Sequence, residues 1–381
     1  MIDGLRPATA GRADGTVRLF LAGDVMTGRG IDQILPHPGD PLLRENWVRD
    51  ARRYVELAEA VNGPIPLPVG FEWIWGDALV TLAQVAPAVS VINLETAVTG
   101  ADDFVQGKGI HYRMNPRNLP AIVVARPDVC VLANNHVLDF DRTGLSDTLS
   151  ALAGAGLATV GAGEDLEEAR RPAVVPVPGT SGRVIVAACA MASAGVPDGW
   201  AAKRDRSGVW FAPSLADAVA DDIVERLGAV RRPGDICVVS LHWGSNWGFE
   251  MSHDQVRFAH RLVDGGVDVV YGHSSHHPRP IEVYRRRLIL YGCGDLVNDY
   301  EGIPGQEEFR SELRLLYFPT VHQSGGELAG LTMRAVRARR MRLENALPED
   351  VLWLERMLGE TSGRFKTRIE TGPDGTLMLV L

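Results

Sequence analysis

The sequence predicts an α/β fold, and three observations carry that reading. Short apolar runs rich in Val, Ile and Leu recur at 17–22, 88–94, 129–133, 235–241 and 267–271. Helical patterning falls between them, at 77–85, 145–155, 215–230 and 255–265. Nearly every run stops in small residues followed by Asp, Asn, Glu or His, which is where α/β proteins build their sites.

Taken in order, the run 17–22 ends at Gly23-Asp24, so Asp24 lies just past a strand. An isolated Asp there is also a common turn former. Residues 31–60 carry helical pattern broken by the turn His37-Pro38-Gly39-Asp40-Pro41. The Pro-, Gly- and aromatic-rich stretch 62–76 reads as a loop packed on the core. The run 88–94 ends in Asn93 and Glu95, and the loop 99–115, with Lys108, His111, Tyr112 and Arg113, is expected to be solvated. The run 129–133 leads into Asn134-Asn135-His136, with Asp139 just behind. Two strand-like runs in 173–191 flank Gly179-Thr180-Ser181-Gly182, a hairpin signal. The run 235–241 enters His242-Trp243-Gly244.

The densest stretch follows. The run 267–271 stops at Gly272, and His273, His276 and His277 come within five positions. Three imidazoles directly after a strand point to a site rather than to isolated surface histidines. A second run, 287–291, ends on Gly292-Cys293-Gly294-Asp295. Beyond residue 300 the patterns weaken: 313–317 and 328–338 read as strands, 348–358 as a helix, and Asp374-Gly375 as a turn before a last strand. No repeat or composition shift marks a linker. The expected organisation is a disordered leader over 1–15 and one domain over 16–381, with 302–381 as a C-terminal extension packed on it.

Composition sets the bounds. A chain of 381 residues with 45% hydrophobic and 23% charged residues has the material for a sizeable core. The formal charge of -9 argues against nucleic acid or an anionic membrane as the main partner. No apolar run is long enough to span a bilayer, and the N-terminus shows no secretory pattern. The four cysteines lack metal-type spacing, and Cys130, Cys189 and Cys237 sit in apolar runs, so reduced buried thiols in a cytoplasmic protein are expected.

Five segments carry a family resemblance: GDVMTGRG at 23–30, INLE at 92–95, LANNHVLDFDRTGL at 132–145, HWG at 242–244 and GHSSHHPRPIEVY at 272–284. In this order they resemble the CapA-type, poly-γ-glutamate capsule-biosynthesis proteins, which look like calcineurin-type metallophosphoesterases. The resemblance implies a four-layer α-β-β-α sandwich, metallophosphatase-like, with two sheets face to face. It also exposes departures. Two-metal phosphoesterases open with Asp-x-His where this chain has Met26, and the bridging Asp position is Asn93. The last motif reads Gly294-Asp295-Leu296 instead of a Gly-Asn-Phe-like turn. A thioether and a neutral amide are poor substitutes for ligands that hold two dications close. No metal is therefore expected, with Mn, Fe or Zn as the alternative.

A pocket of carboxylates and imidazoles suits proton transfer. The resemblance extends to peptide epimerases of lasso-type, ribosomally made peptides, and inversion of a Cα in such a precursor peptide is the leading expectation. Asp24, His136, His242, His276 and Asp295 are the expected acids and bases. Asn93, Glu95, Asn135, His273 and Cys293 are expected to contact substrate, with Cys293 also a candidate second base. A metal-dependent phosphoesterase or hydrolase, and a capsule (poly-γ-glutamate) biosynthesis protein without catalysis, are the alternatives.

Overall fold

The computed structural model describes residues 15–381, so all of the expected leader except Gly15 lies outside the described residues. The placement of the smaller sheet follows from alternation along its strands. In the strand Arg183–Ala190, Val184, Val186 and Ala188 join one core while Ile185, Ala187 and Cys189 join another. Val238 and Cys237, Tyr271 and Val270, and Leu288 and Ile289 divide the same way. Side chains of a strand point alternately to its two faces, so a strand apolar on both must lie between two layers. The six strands run Ile281–Tyr284, Arg287–Leu290, Val269–His273, Ile236–His242, Arg183–Ala190 and Ala173–Pro176, and the inner pairs are parallel. Helices Asp217–Val230 and His253–Asp264 cover the outer face with Ile223, Leu227, Phe258 and Leu262.

The inner face packs on a ten-stranded sheet centred on Thr16–Val25. Val89–Leu94 and Val129–Val131 continue it in parallel on one side. Helices Arg52–Asn62, Asp77–Val85 and Asp141–Gly154 contribute Tyr54, Val55, Leu82, Leu145 and Leu152 to the same core. These are the four layers, α-β-β-α, that the sequence led us to expect. The 62–76 stretch packs as a loop, with Ile65, Val69, Ile74 and Trp75 buried.

The region after residue 302 is not laid on the outside of the sheet. Leu313–His322 pairs antiparallel with Thr16–Val25, and with Leu328–Ala338, Leu343–Asn345, Arg368–Thr371 and Leu377–Val380 it supplies five of the ten strands. One further insertion matters for the site. Asp295–Val297 pairs in parallel with the end of Thr16–Val25, Asp24 opposite Asp295. A Cβ on Gly23 would sit 2.2 Å from the carbonyl oxygen of Gly294, so only glycine allows this approach. Among the described residues, no helix is long and apolar enough to cross a membrane.

Candidate functional site

Parallel strands deliver their C-terminal ends to one edge. In the larger sheet Asp24 is the register partner of Asn93, and in the smaller His242 is the partner of His273. The two edges meet: His273 Nδ1 lies 2.6 Å from Asp24 Oδ1. The Asp24 carboxylate also accepts from Asn93 Nδ2 at 2.8 Å and from the backbone N–H of Ser274 at 3.3 Å. Ser274 has φ 88°, a conformation that costs a residue with a Cβ about 1–3 kcal/mol and is found mostly where function requires it. Burial pushes the Asp24 carboxyl up, but the charge and hydrogen bond of His273 outweigh it and hold it well below the usual range.

Glu95 is the opposite case. It is buried with Oε1 3.7 Å from His242 Nε2 and 3.9 Å from His136 Nε2. Burial and then the nearby charge of Asp24 raise its carboxyl well above the ordinary value. Asn93 touches both acids, which also meet each other directly: its amide nitrogen faces Asp24 and, at 3.4 Å, Glu95, while its oxygen accepts from Asn134 Nδ2 at 3.1 Å. The side chain of Asn134 then accepts the N–H groups of His136 and Val137, which fixes the turn that presents His136.

The two outer imidazoles are set in contrary senses. His136 Nδ1 lies 2.6 Å from Asp139 Oδ2, and Lys108 Nζ reaches the other oxygen of Asp139, the Asn135 carbonyl and, at 3.0 Å, His136 Nδ1. One ring nitrogen cannot donate to Asp139 and accept from Lys108 at once. Asp139 also accepts from the Tyr112 N–H at 2.7 Å and is held below its usual range, so the proton is assigned to Nδ1 and the Nε2 lone pair faces the site. Burial lowers the His136 pKa to about 4, Lys108 adding to the effect and Asp139 opposing it. His276 Nδ1 lies 3.0 Å from Asp295 Oδ1. Burial pushes it down, but the charge of Asp295 prevails and the net shift is upward. His242, lowered to about 3 chiefly by burial, lies with Nε2 2.9 Å from Asn135 Oδ1.

The structure thus brings together Asp24, Asn93, Glu95, Asn135, His136, His242, His273, His276 and Asp295. It does not bring Cys293. That thiol is fully buried in the core between the sheets, and burial followed by the Asp24 charge raises its pKa well above the usual value. A buried protonated thiol is no base and contacts no substrate.

The loop 99–115 is solvated, as expected, only over residues 100–110, and its end is not. His111 and Tyr112 are buried, Arg113–Met114 pairs with Ala97–Val98, and Lys108 enters the site. Its polar composition conceals a Tyr that packs edge-on against His136, ring centres 4.6 Å apart. Other residues that sequence reasoning missed stand behind the histidines. Tyr300 and Trp247 pack on His276 at 5.2 and 5.3 Å. Arg29, buried, pairs with Asp299 and Glu45 beneath Tyr54, Tyr112 and Tyr300. Arg29 stands inside the quoted motif at 23–30, which was the one available signal; Tyr300 had none.

Asp24, Glu95 and His242 place one ligand atom each within 4.8 Å of one another. Two carboxylates and an imidazole suit Mn, Fe or Zn. Burial and the charges of Asp24 and Asp295 raise Glu95 against the opposing charge of Lys108, and His242 Nδ1 and His273 Nε2 find no hydrogen-bond partner among the described residues. This donor set fits one divalent cation. Met26 and Asn93 offer nothing comparable for a second, since the Met26 sulfur faces the Tyr300 hydroxyl at 4.0 Å and the Asn93 amide nitrogen is turned towards the acids.

A two-sheet α/β sandwich with a buried acid–imidazole centre at the strand ends defines the class. Residues 18–300 match the model of a family described as bacterial capsule synthesis protein PGA_cap. The chain is 55% identical over 373 residues, 97% of each chain, to a protein of Mycobacterium tuberculosis named as a probable polyglutamine synthesis accessory protein. It is 30% identical over 212 residues, 54% of this chain and 52% of the other, to the PGA biosynthesis protein CapA of Bacillus subtilis. A solved Mycoplasma pneumoniae phosphatase superposes with TM-score 0.46 at 11% identity, covering 88% of this chain and 96% of that one. The chain belongs to the PGA_cap family of bacterial capsule synthesis proteins. The names of these relatives speak of polymer synthesis, and lasso-peptide epimerisation does not enter them.

Proposed function

We propose that this protein serves the synthesis of a glutamyl or glutaminyl polymer as a hydrolase whose strand-end centre works with one divalent cation. The observation that carries the reading is the convergence of Asp24, Glu95 and His242 beside two imidazoles, His136 held low by burial and His276 drawn upward by Asp295. Family membership and the relatives' names supply the polymer.

Asp24, Glu95 and His242 would hold the cation, and Asn93, His273 and the Ser274 N–H keep Asp24 oriented and ionised. When bound, such an ion supplies Lewis-acid polarisation of a reacting carbonyl or phosphoryl oxygen. His136, neutral at pH 7 with Nε2 free, removes a proton from water; Asp139 then stabilises the imidazolium. His276, drawn towards the protonated form by Asp295, returns a proton to the leaving group at Nε2. Two titratable groups pushed apart in pKa are the signature of an assigned acid and base.

The test is purified protein incubated with Mn, Fe or Zn and offered glutamyl and glutaminyl oligomers and a simple phosphodiester. Cation-dependent turnover of one of them, abolished in Asp24→Asn and His136→Gln, supports the reading. Full turnover in chelator, or none with any cation, refutes it.

The same opposed pair favours a second reading, epimerisation of a residue in a ribosomally made peptide. A base on one face of a Cα and an acid on the other is what inversion needs. Deuterium incorporation at one Cα in D₂O, without hydrolysis, would replace the first reading by the second.

A further inference from the structure

Arg279 is a buried cation that no acid among the described residues answers. It is 2% exposed, and burial, with no charge acting beside it, lowers its pKa to about 10, so it stays protonated at neutral pH. Its Nη2 is fully used, donating to the Ser245 carbonyl at 2.7 Å, Ser245 Oγ at 2.8 Å and the Trp247 carbonyl at 3.4 Å. Its Nε finds no acceptor, and Nη1 meets only the Met251 sulfur at 4.0 Å, a weak one. Every one of these partners is neutral, so the charge is hydrogen-bonded but not balanced.

A second donor is left over at the same place. Gln255 lies in the first turn of the helix His253–Asp264, and its Oε1 accepts the backbone N–H of Ser252 at 3.1 Å. That capping bond settles which end of the amide is oxygen. Nε2 is therefore turned inward, where it is buried without an acceptor. The two donors converge at Gly244: a Cβ there would lie 2.8 Å from Gln255 Nε2 and 3.1 Å from Arg279 Nη1. Gly244 has φ 80°, so both its backbone and the space beside it favour glycine. It is itself only half-buried, which leaves a way in from solvent.

Size and charge limit the occupant. With Arg279 and Gln255 2% and 8% exposed, a polymer residue does not reach them. A water can accept from both donors but leaves a buried charge uncompensated, which is costly. A single-atom anion meets both demands. We propose that Arg279 and Gln255 hold one monoatomic, monovalent anion of the chloride type beside Gly244, and that this ion fixes the loop 244–249 over the reaction centre. The second part follows from what else Arg279 holds. Its Nη2 ties Ser245 and Trp247, while the Asn246 carbonyl accepts the His276 N–H at 3.0 Å and the Trp247 ring packs on that of His276 at 5.3 Å. An ion that fixes the guanidinium fixes the loop, and with it the cover of His276. The site is independent of the reaction assigned to the centre.

The test compares the full-length protein in sodium chloride and in sodium gluconate at equal ionic strength, so that screening is the same in both. Gluconate is too large for the gap. Replacing gluconate by about 0.2 M chloride should lower the urea unfolding constant of wild type saturably, by about tenfold or more, and slow hydrogen exchange across residues 244–249. A crystal soaked in bromide should show the ion within hydrogen-bond reach of Arg279 Nη1 and Gln255 Nε2. Gln255→Glu keeps one oxygen for Ser252 and offers the other to Arg279, so it carries its own anion. It should unfold alike in the two salts, with the loop protected in both. Arg279→Met should lose the chloride response and the protection; if it does not fold, Gln255→Glu decides. Equal unfolding of wild type in the two salts, a chloride response that Gln255→Glu keeps in full, or an ordered water where bromide is expected overturns the inference. Chloride that stabilises wild type without slowing exchange in the loop overturns its second part.

Discussion

Replacing Asn93 by Asp is the sharpest probe of how charge is arranged in the centre. The Asn93 amide nitrogen lies 2.8 Å from Asp24 Oδ1 and 3.4 Å from Glu95 Oε2, all three side chains being buried. The substitution removes a donor to a carboxylate, a loss of about 1.5–3 kcal/mol. It also sets a third acid against Asp24 and Glu95, and Glu95 is already raised by burial and by the charge of Asp24. The repulsion has a ceiling, because the new carboxyl can escape it by binding a proton. At pH 7 that costs an ordinary Asp about 1.36 × (7 − 3.9), or roughly 4 kcal/mol. Urea unfolding in chelator at pH 7 should therefore show Asn93→Asp less stable by about 3–4 kcal/mol. The deficit should shrink at pH 5, where the same ceiling falls to roughly 1.5 kcal/mol. A divalent cation reverses the sign of the effect, since an ion bound to the native state alone stabilises it and the added carboxylate is a further ligand. Manganese should raise the unfolding midpoint of the variant by more than it raises that of wild type. A variant as stable as wild type in chelator, or one that gains no more from manganese, would show that these carboxylates do not share a charge site.

Three further outcomes follow from the same geometry. His136 stays neutral in the fold down to about pH 4, whereas the unfolded chain protonates it from about 6.5. The unfolded state therefore binds more protons between those values, and in chelator His136 should contribute roughly 3 kcal/mol to the fall in stability on acidification across that window, beside the like-signed terms of His242 and His277, so that His136→Gln makes the fall smaller by about that amount. Lys108→Met leaves Asp139 without its cation and loosens the Nδ1 partner of His136; a stability loss of about 3 kcal/mol, together with faster proteolysis of the loop 99–115, is expected, and unchanged proteolysis would place Lys108 outside the site. All four thiols should resist alkylation in the native protein and react only in denaturant, and Cys293→Ala should leave turnover within about twofold of wild type. Rapid labelling of native Cys293 would contradict its burial.

What could be read in advance was set by how strongly each segment is patterned. The strands of the smaller sheet are apolar on both faces, so Asp235-to-Leu241 and Val267-to-Tyr271 stand out in any window. Of the strands after residue 300, Leu313–His322 is buried on both faces over most of its length, but Leu328–Ala338 mixes buried and half-buried residues and carries Arg334 and Arg337 outward. Strands of the latter kind look weak in sequence, although together with Leu313–His322 they make half of the larger sheet. Their place could not be inferred locally, because antiparallel pairing across some 300 residues is decided by the whole core.

The site was legible to the same extent and for the same reason. Asp24, Asn93, His136, His242 and His273 each follow an apolar strand, and parallel strands must deliver their ends to one edge, so gathering them required only the fold class. Lys108, Tyr112 and Tyr300 follow no strand and reach the centre by tertiary placement. Cys293 misled in the reverse direction, because the same glycine turn that aims Asp295 at His276 turns the thiol into the core. Asn93 shows the limit most plainly. Beside a family in which an acid bridges two ions, it reads as a lost ligand. In the structure it is a neutral donor to two buried carboxyls that also meet each other directly. A third carboxylate there would need a second positive charge, and Met26, which would have to help hold it, brings only a thioether. The two departures are thus consistent with one another: without a ligand set for a second cation, an acid at position 93 would have nothing to balance it.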